Sequence, residues 1–448
     1  MNTFIEKALQ RLNVTALTPI QTEVLAQWKS SGDLIGLAPT GSGKTLAFAL
    51  SSIALLDTAL FRPQILILCP TRELAQQVAR VCQHAAQSLD NIHTVTLIGG
   101  DSVGAQIKAL KGACHIVVGT PGRVLDHLEK RRLQLDKVHT RILDEADRMF
   151  EMGMREEVAA IFSHTPKVCR TGLFSATYSD AIAQSAEQWL SSPVTVDVRE
   201  QGNSPDIEQF IYKTDGGQKE QAVSAILTDR QPEKCIVFCQ TKKGTQALYD
   251  NLKERGFNLV TMHGDMQQNE RQRALMKLSL NATNILVATD VAARGLDLPK
   301  VDLVIAYDMS ESPDTHIHRI GRTGRAGQKG VAITLATDNE LERAKAFCDN
   351  PESSRINGVQ HLRFHANRVM TASNVAIEIR GGKKDKLRKG DIVGALIKEA
   401  SVPGEDIGDI VQTSNTTFLA VAVRSAKKTL KQFREGKIKG RRYSAVKI

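Results

Sequence analysis

Ala38-Pro39-Thr40-Gly41-Ser42-Gly43-Lys44-Thr45 follows the apolar run Leu34-Ile35-Gly36-Leu37, and about a hundred residues later Asp144-Glu145-Ala146-Asp147 closes the run Arg141-Ile142-Leu143. The first stretch has the composition of a phosphate loop, in which glycines let backbone N–H groups approach an anion at a helix N-terminus. Lys44 is then expected to reach the β and γ phosphates, and Thr45 to ligate Mg²⁺. In the second stretch Asp144 is placed to order Mg²⁺ through its water shell, and Glu145 to accept a proton from an attacking water. Four acidic and small residues alone would serve equally well as a carboxylate-stabilised helix start. Paired with the loop, they imply hydrolysis of ATP.

Short apolar runs separated by helical stretches must position these groups: Leu34–Leu37, Ile65–Leu68, Ile116–Val118, Ile142-Leu143 and Gly172–Phe174. Continuous rather than alternating hydrophobicity predicts strands buried on both faces, hence a parallel sheet between helix layers with ligand residues at the strand ends. The polar stretch Arg199 to Asp206 reads as a linker. Beyond it the alternation resumes at Ile236–Phe238, Ile285–Ala288, Leu303–Ala306 and Val331–Leu335, without a second phosphate loop. After about residue 365 the pattern becomes small α+β, with strands at Val375–Ile379, Phe418–Val423 and Tyr443–Ile448. A helix there carries Ile392, Val393, Leu396, Ile397 and Ala400. A second is capped by Ser425, with Ala426, Leu430 and Phe433 inward and Lys427, Lys428, Lys431 and Arg434 outward. That order approximates βαββαβ, an RNA recognition module.

The 448 residues are 42% hydrophobic and 24% charged, the balance of a globular chain of two to four domains. Of the net charge of +10, His361 to Ile448 hold 19 Lys+Arg against 8 Asp+Glu, so the basic excess is entirely C-terminal and points to nucleic acid ahead of a membrane surface. The seven cysteines form no CxxC pair, which argues against a disulfide framework or zinc site. The N-terminus lacks a signal peptide's apolar region and no run would span a bilayer, so the cytoplasm is the expected compartment.

Together with Thr18-Pro19-Ile20-Gln21, Pro70-Thr71-Arg72-Glu73-Leu74, Thr120-Pro121-Gly122-Arg123, Ser175-Ala176-Thr177 and His318-Arg319-Ile320-Gly321-Arg322-Thr323-Gly324-Arg325, the two stretches resemble the DEAD-box RNA helicases, in family order across nearly all of residues 1 to 360. The resemblance implies an α/β protein of two tandem RecA-like parallel-sheet domains, 1–202 and 203–365, and adds a small α+β RRM-like domain at 370–448. It implies that Phe4 and Gln21 read adenine, that Ala38 and Thr40 to Thr45 hold the phosphates, and that Gly295 and Asp297 touch the ribose. Arg322 and Arg325 would act as arginine fingers, so domain closure would complete the site. Asp147, Ser175, Thr177 and His318 would couple hydrolysis to RNA. Thr71, Arg72, Gly100, Thr120 and Arg123, then Gln268, Arg271 and Thr289, would bind the RNA backbone, whose chemistry suits hydroxyls, backbone amides and arginines. Two departures are Ala38, where the general phosphate loop has Gly, and His316, where many members have Tyr. His316 and His263 show no charge partner or metal spacing.

The segment Lys383 to Leu396 with Gly404 to Gly408 resembles the C-terminal domain of the bacterial DbpA subgroup, which tethers the helicase core to a hairpin of 23S ribosomal RNA during large-subunit assembly. Its central strands offer Phe418 alone for stacking, so binding should instead use Lys383, Lys384, Lys386 and Arg388, Lys428 on the helix, and Lys437, Lys439, Arg441, Arg442 and Tyr443. The expectation is a monomeric, ATP- and Mg²⁺-dependent RNA helicase acting on large-subunit precursors. The rival readings are an ATP-gated RNA clamp or scaffold, and a DNA helicase.

Overall fold

A computed structural model describes residues 3–28, 32–199, 206–293, 301–324, 329–348 and 355–448. Most of the linker predicted between Arg199 and Asp206 therefore lies outside the described residues, as do Gly295, Asp297 and Arg325. The chain divides into two compact units, which meet in sequence at Ser204 and Pro205.

In the first unit seven strands, β1 (Leu34–Leu37), β2 (Ile65–Leu68), β3 (Thr94–Leu97), β4 (Ile116–Gly119), β5 (Thr140–Asp144), β6 (Arg170–Ser175) and β7 (Val194–Asp197), form one sheet in the order β3-β4-β2-β5-β6-β1-β7. Every pairing is parallel. The apolar runs of the inner strands are continuous because each feeds two cores. Leu34, Ile65, Ile67, Ile116, Val118 and Ile142 point to one, and Ile35, Leu66, Leu68, Val117 and Leu143 to the other. Complete burial of such a side chain is worth about 1.5–3 kcal/mol, and the fully enclosed strands lock the register that aims the polar residues beyond their ends.

The second unit opens with a sheet of β8 (Ile207–Lys213), β9 (Cys235–Cys239), β10 (Leu259–Met262), β11 (Ile285–Thr289), β12 (Leu303–Ala306), β13 (Gly330–Ala336) and β14 (Arg355–Gly358), in the order β10-β11-β9-β12-β13-β8-β14 and again all parallel. Its C-terminal part is an antiparallel sheet of β15 (Asn374–Ile379), β16 (Ile407–Gln412), β17 (Thr417–Ala422) and β18 (Ala445–Lys447), in the order β16-β17-β15-β18, with helices Lys389–Lys398 and Ala426–Glu435 completing a βαββαβ module.

Two local expectations fail. Ser425 precedes the second module helix but does not cap it through its side chain; its hydroxyl donates to Asp406 at 2.6 Å instead. Ser425 closes a 3₁₀ turn, Val423–Ser425, with helical backbone (φ −100°, ψ −2°) in place of the extended conformation that aims an N-cap side chain at the helix N–H groups, and its hydroxyl goes to the carboxylate that also holds Arg424. Ile397 is 44% exposed although Ile392 and Leu396 beside it are buried, because the helix ends at Lys398 and only one face meets the sheet. Six of the seven cysteines are buried, all are free, and no described helix is long and apolar enough to cross a membrane.

Candidate ATP site and RNA face

Strand order sorts the first unit's chemistry. The phosphate loop leaves β1, Asp144 ends β5 and Ser175 ends β6, and these three strands are consecutive in the sheet. Gly99-Gly100 follows β3, Thr120 follows β4 and Thr71-Arg72 follows β2, so the residues expected at RNA gather along the other half of the same edge. All lie at carboxyl ends of parallel strands, where open α/β sheets leave helix N-termini and unpaired backbone to meet ligands.

The loop's backbone needs its glycines. Gly41 and Gly43 have φ of +86° and +92°, and a Cβ on Gly43 would fall 2.3 Å from Gln21 Nε2. The Gln21 amide is taken up by backbone, accepting from Thr18 N–H at 3.0 Å and donating to the Gly43 carbonyl at 3.3 Å. Gln21 thus braces the loop, and Phe4 is buried in the adjoining core with Ile5, Ala8 and Leu9. Lys44 donates to the carbonyls of Ala38 and, at 3.2 Å, Pro39. Burial pushes its ammonium down, opposed by the carboxylates of Asp144, Asp147 and Glu145. Asp144 is 3% exposed, and burial with the Glu145 charge pushes its carboxyl up to about 7. Glu145 adopts the left-handed region, φ +52°, a conformation costly for a non-glycine residue and found preferentially at functional sites. The Arg148 guanidinium, wholly buried, comes within 3.6 Å of its carboxylate.

A buried ammonium driven toward neutrality facing a buried carboxyl driven toward protonation is a site short of counter-charge. Polyphosphate with a divalent cation would reverse both shifts, so these residues fit ATP and Mg²⁺. Ser42 and Ser175 each leave a buried hydroxyl oxygen without a hydrogen-bond partner. Asp147 faces the other way, its Oδ2 accepting from Ala176 N, Thr177 N and Thr177 Oγ1 at 3.2–3.3 Å. One carboxylate therefore ties the acidic strand end to the Ser175-Ala176-Thr177 segment.

On the other half of the edge, Thr71 Oγ1 caps its helix by accepting from Leu74 N–H, and Arg72 lies against Gly99, where a Cβ would sit 2.9 Å from its guanidinium. Gly100 has φ +84°, Thr120 N–H donates to the Leu97 carbonyl, and Arg123 Nη1 reaches Gln106 Oε1 at 3.3 Å.

In the second unit Thr289 ends β11, and helix Gln268–Ser279 carries Gln268 and Arg271, the latter reaching the Ala292 carbonyl at 3.5 Å. Arg322 is 4% exposed with Nε donating to the His318 carbonyl, and His318 is also buried. His316 is a core histidine, its Nε2 3.2 Å from Gln209 and its ring against Phe347, with burial pushing it down to about 4. Arg319 and Asp290 have no role assigned from sequence, yet the buried Arg319 makes two bonds of 2.7 Å each to the part-buried Asp290 carboxylate, and also holds the Asp308 carbonyl at 2.6 Å. Arg319 lies inside the His318 to Arg325 run, which was the available signal; its partner is 29 residues away.

The C-terminal sheet face is covered. Ala376, Phe418 and Ala420 pack on Leu280 and Ala282, with Met276 alongside, Arg273 pairs with Glu378 at 2.7 Å, and Phe418 is 2% exposed. Phe418 cannot stack a base there. Lys383, Lys384, Lys386, Arg388, Lys437, Lys439, Arg441 and Arg442 are exposed. Their two loops lie side by side, since Tyr443 packs against Gly381, Arg380 N–H donates to Ser444 O, and Lys439 pairs with Asp391 at 3.0 Å. Lys428 stands on the other helix, near the Asp406 carboxylate.

The chain matches the DEAD/DEAH box helicase family over residues 18–185, the helicase conserved C-terminal domain over 218–327 and the DbpA RNA binding domain over 376–447. It is 39% identical to the ATP-dependent RNA helicase DbpA of Escherichia coli (strain K12), covering 97% of this chain and 94% of that one. With the ATP-dependent RNA helicase DbpA of Bacillus subtilis (strain 168) it shares 33% identity over 99% and 97%. Among solved structures, S. cerevisiae Dbp5 bound to RNA and ADP BeF3 matches with a TM-score of 0.72 at 29% identity, over 80% of this chain and 93% of that one. A phosphate loop and acidic strand end on one half of a sheet, hydroxyl, glycine and arginine residues on the other and a basic module beyond fit one family: the chain belongs to the DEAD-box ATP-dependent RNA helicases of the DbpA type.

Proposed function

We propose that this helicase remodels 23S ribosomal RNA during assembly of the large ribosomal subunit, acting in the cytoplasm as a monomer. It is read as three working parts, residues 1–202, 203–365 and 370–448. The observation carrying this reading is the paired basic edge, residues 383–389 beside 437–443, on a module whose sheet face is already occupied. Such an edge suits a folded RNA hairpin, met through its phosphates.

In the proposed cycle Lys44 and the loop amides hold the β and γ phosphates, Thr45 and Asp144 hold Mg²⁺, the latter through water, and Glu145 accepts a proton from the attacking water. Mg²⁺, when bound there, would supply positive charge to the phosphate oxygens. Gln21 reads adenine by exchanging its bond to Gly43 for the base, with Phe4 behind it. Arg322 and Arg325 supply charge to the leaving phosphoryl group, and Gly295 and Asp297 meet the ribose. Asp147, Ser175, Thr177 and His318 relay the nucleotide state to Thr71, Arg72, Gly100, Thr120 and Arg123, and to Gln268, Arg271 and Thr289, which grip the RNA backbone. Lys383, Lys384, Lys386, Arg388, Lys437, Lys439, Arg441, Arg442 and Tyr443 form the tether, with Lys428 flanking it.

RNA-stimulated ATPase and strand displacement on a duplex joined to a 23S rRNA hairpin, against the same duplex joined to an unrelated hairpin, test this. The rRNA hairpin should half-saturate at lower concentration, and alanine at Lys383, Lys384, Arg441 and Arg442 together should remove that advantage while leaving kcat unchanged. Equal saturation by both hairpins would reject the tether. ATP turnover without duplex loss on either would support an RNA clamp instead.

A further inference from the structure

Helix Val103–Leu110 contains valine, isoleucine and leucine, yet the one residue it buries is Gln106, 5% exposed. A carboxamide taken out of water must be satisfied at both ends. Gln106 Nε2 donates to the Ile98 carbonyl at 2.8 Å, directly before the Gly99-Gly100 turn. Its Oε1 accepts from Arg123 Nη1 at 3.3 Å and lies 2.9 Å from His127 Nε2. The reversed amide would set its oxygen against the Ile98 carbonyl and its NH₂ against the Arg123 guanidinium, so these two neighbours dictate the orientation. His127 is fully buried, and burial pushes its imidazole down. One side chain therefore joins the turn after β3 to the helix after β4.

We propose that Gln106 is a positioning residue for RNA binding, anchoring the Arg123 guanidinium to the Gly99-Gly100 turn so that both meet one stretch of phosphates. The inference rests on the proposed RNA role of Arg123. A long cationic side chain that is ordered before RNA arrives loses less freedom on binding it.

Full-length wild type, Gln106→Leu, Arg123→Ala and the double variant are compared by RNA-stimulated ATPase. Gln106→Leu should raise the half-saturating RNA concentration by about three- to tenfold, the equivalent of one immobilised side chain. A merely structural role would also move kcat or the ATP KM, which should stay within about twofold of wild type, and the Arg123→Ala background should shrink the Gln106 effect below about twofold. Where Gln106→Leu fails to fold, Gln106→Ser leaves room for water to solvate Ile98, Arg123 and His127, with the same result expected. Full additivity in the double variant, or normal RNA saturation in Gln106→Leu while Arg123→Ala is impaired, overturns the positioning role alone. Unchanged RNA saturation in Arg123→Ala instead removes the RNA reading of Arg123, and the inference with it.

Discussion

Asp144→Asn should make the nucleotide-free first unit more stable while disabling the enzyme. The wild-type carboxyl is pushed from 3.8 up to about 7, so the folded state resists its ionisation. For an acid whose folded pKa is raised, the native chain binds more protons than the unfolded chain between the two values, and stability falls as pH rises through that window. At 1.36 kcal/mol per unit, the penalty grows from about 1.5 kcal/mol at pH 5 to about 4 kcal/mol at pH 8. Asparagine carries none of it, and its Oδ1 can still accept from Glu145 N–H, as Asp144 Oδ1 does at 3.1 Å. The two tryptophans, Trp28 and Trp189, both belong to the first unit, so fluorescence-monitored urea unfolding reads that unit selectively. The stability advantage of the variant should widen by about 2 to 3 kcal/mol from pH 5 to pH 8 without nucleotide, and shrink when a non-hydrolysable ATP analogue and Mg²⁺ are added. An advantage independent of pH, or one that survives nucleotide unchanged, would refute the account of Asp144 as a carboxylate awaiting counter-charge.

Asp147→Ala removes the acceptor for Ala176 N, Thr177 N and Thr177 Oγ1; strand displacement per ATP hydrolysed should drop more than tenfold while basal ATPase changes less, and parallel losses would contradict a coupling role. Arg319→Met leaves the part-buried Asp290 carboxylate without its two guanidinium bonds and should cost about 1 to 3 kcal/mol in the second unit, against less for Arg319→Met with Asp290→Leu. Hydrogen exchange across β11 and β12 measures both, and a single variant no worse than the double would show that the pair is not a charge lock.

The module's place on helix Gln268–Ser279 also bears on how tether experiments are designed. Deleting residues 370–448 would uncover Met276, Leu280 and Ala282 together with the charge of Arg273, so loss of function after truncation would mix lost RNA affinity with an exposed apolar patch. Charge substitutions on the exposed loops avoid this, because those side chains support no core.

Features encoded by contiguous residues were legible without coordinates. Four-residue apolar runs announce doubly covered strands because both faces must be apolar. The phosphate loop and Asp144-Glu145-Ala146-Asp147 are readable because backbone conformation and ligand chemistry constrain neighbouring positions together. Tertiary structure alone decided which distant groups meet. Gln106 looks like an ordinary helix residue until Ile98, Arg123 and His127 close around it. Arg319 finds Asp290 only because β11 and helix Pro313–Ile320 are brought together. Phe418 sits in a strand pattern that would suit base stacking, but packing against Met276 and Leu280 buries it. Ser425 carries a capping residue's chemistry, yet it serves Asp406, 19 residues away in the chain. Periodicity reports which way a side chain faces, but a hydrogen bond or ion pair is chosen among all partners within a few ångströms, and chain folding determines which partners those are.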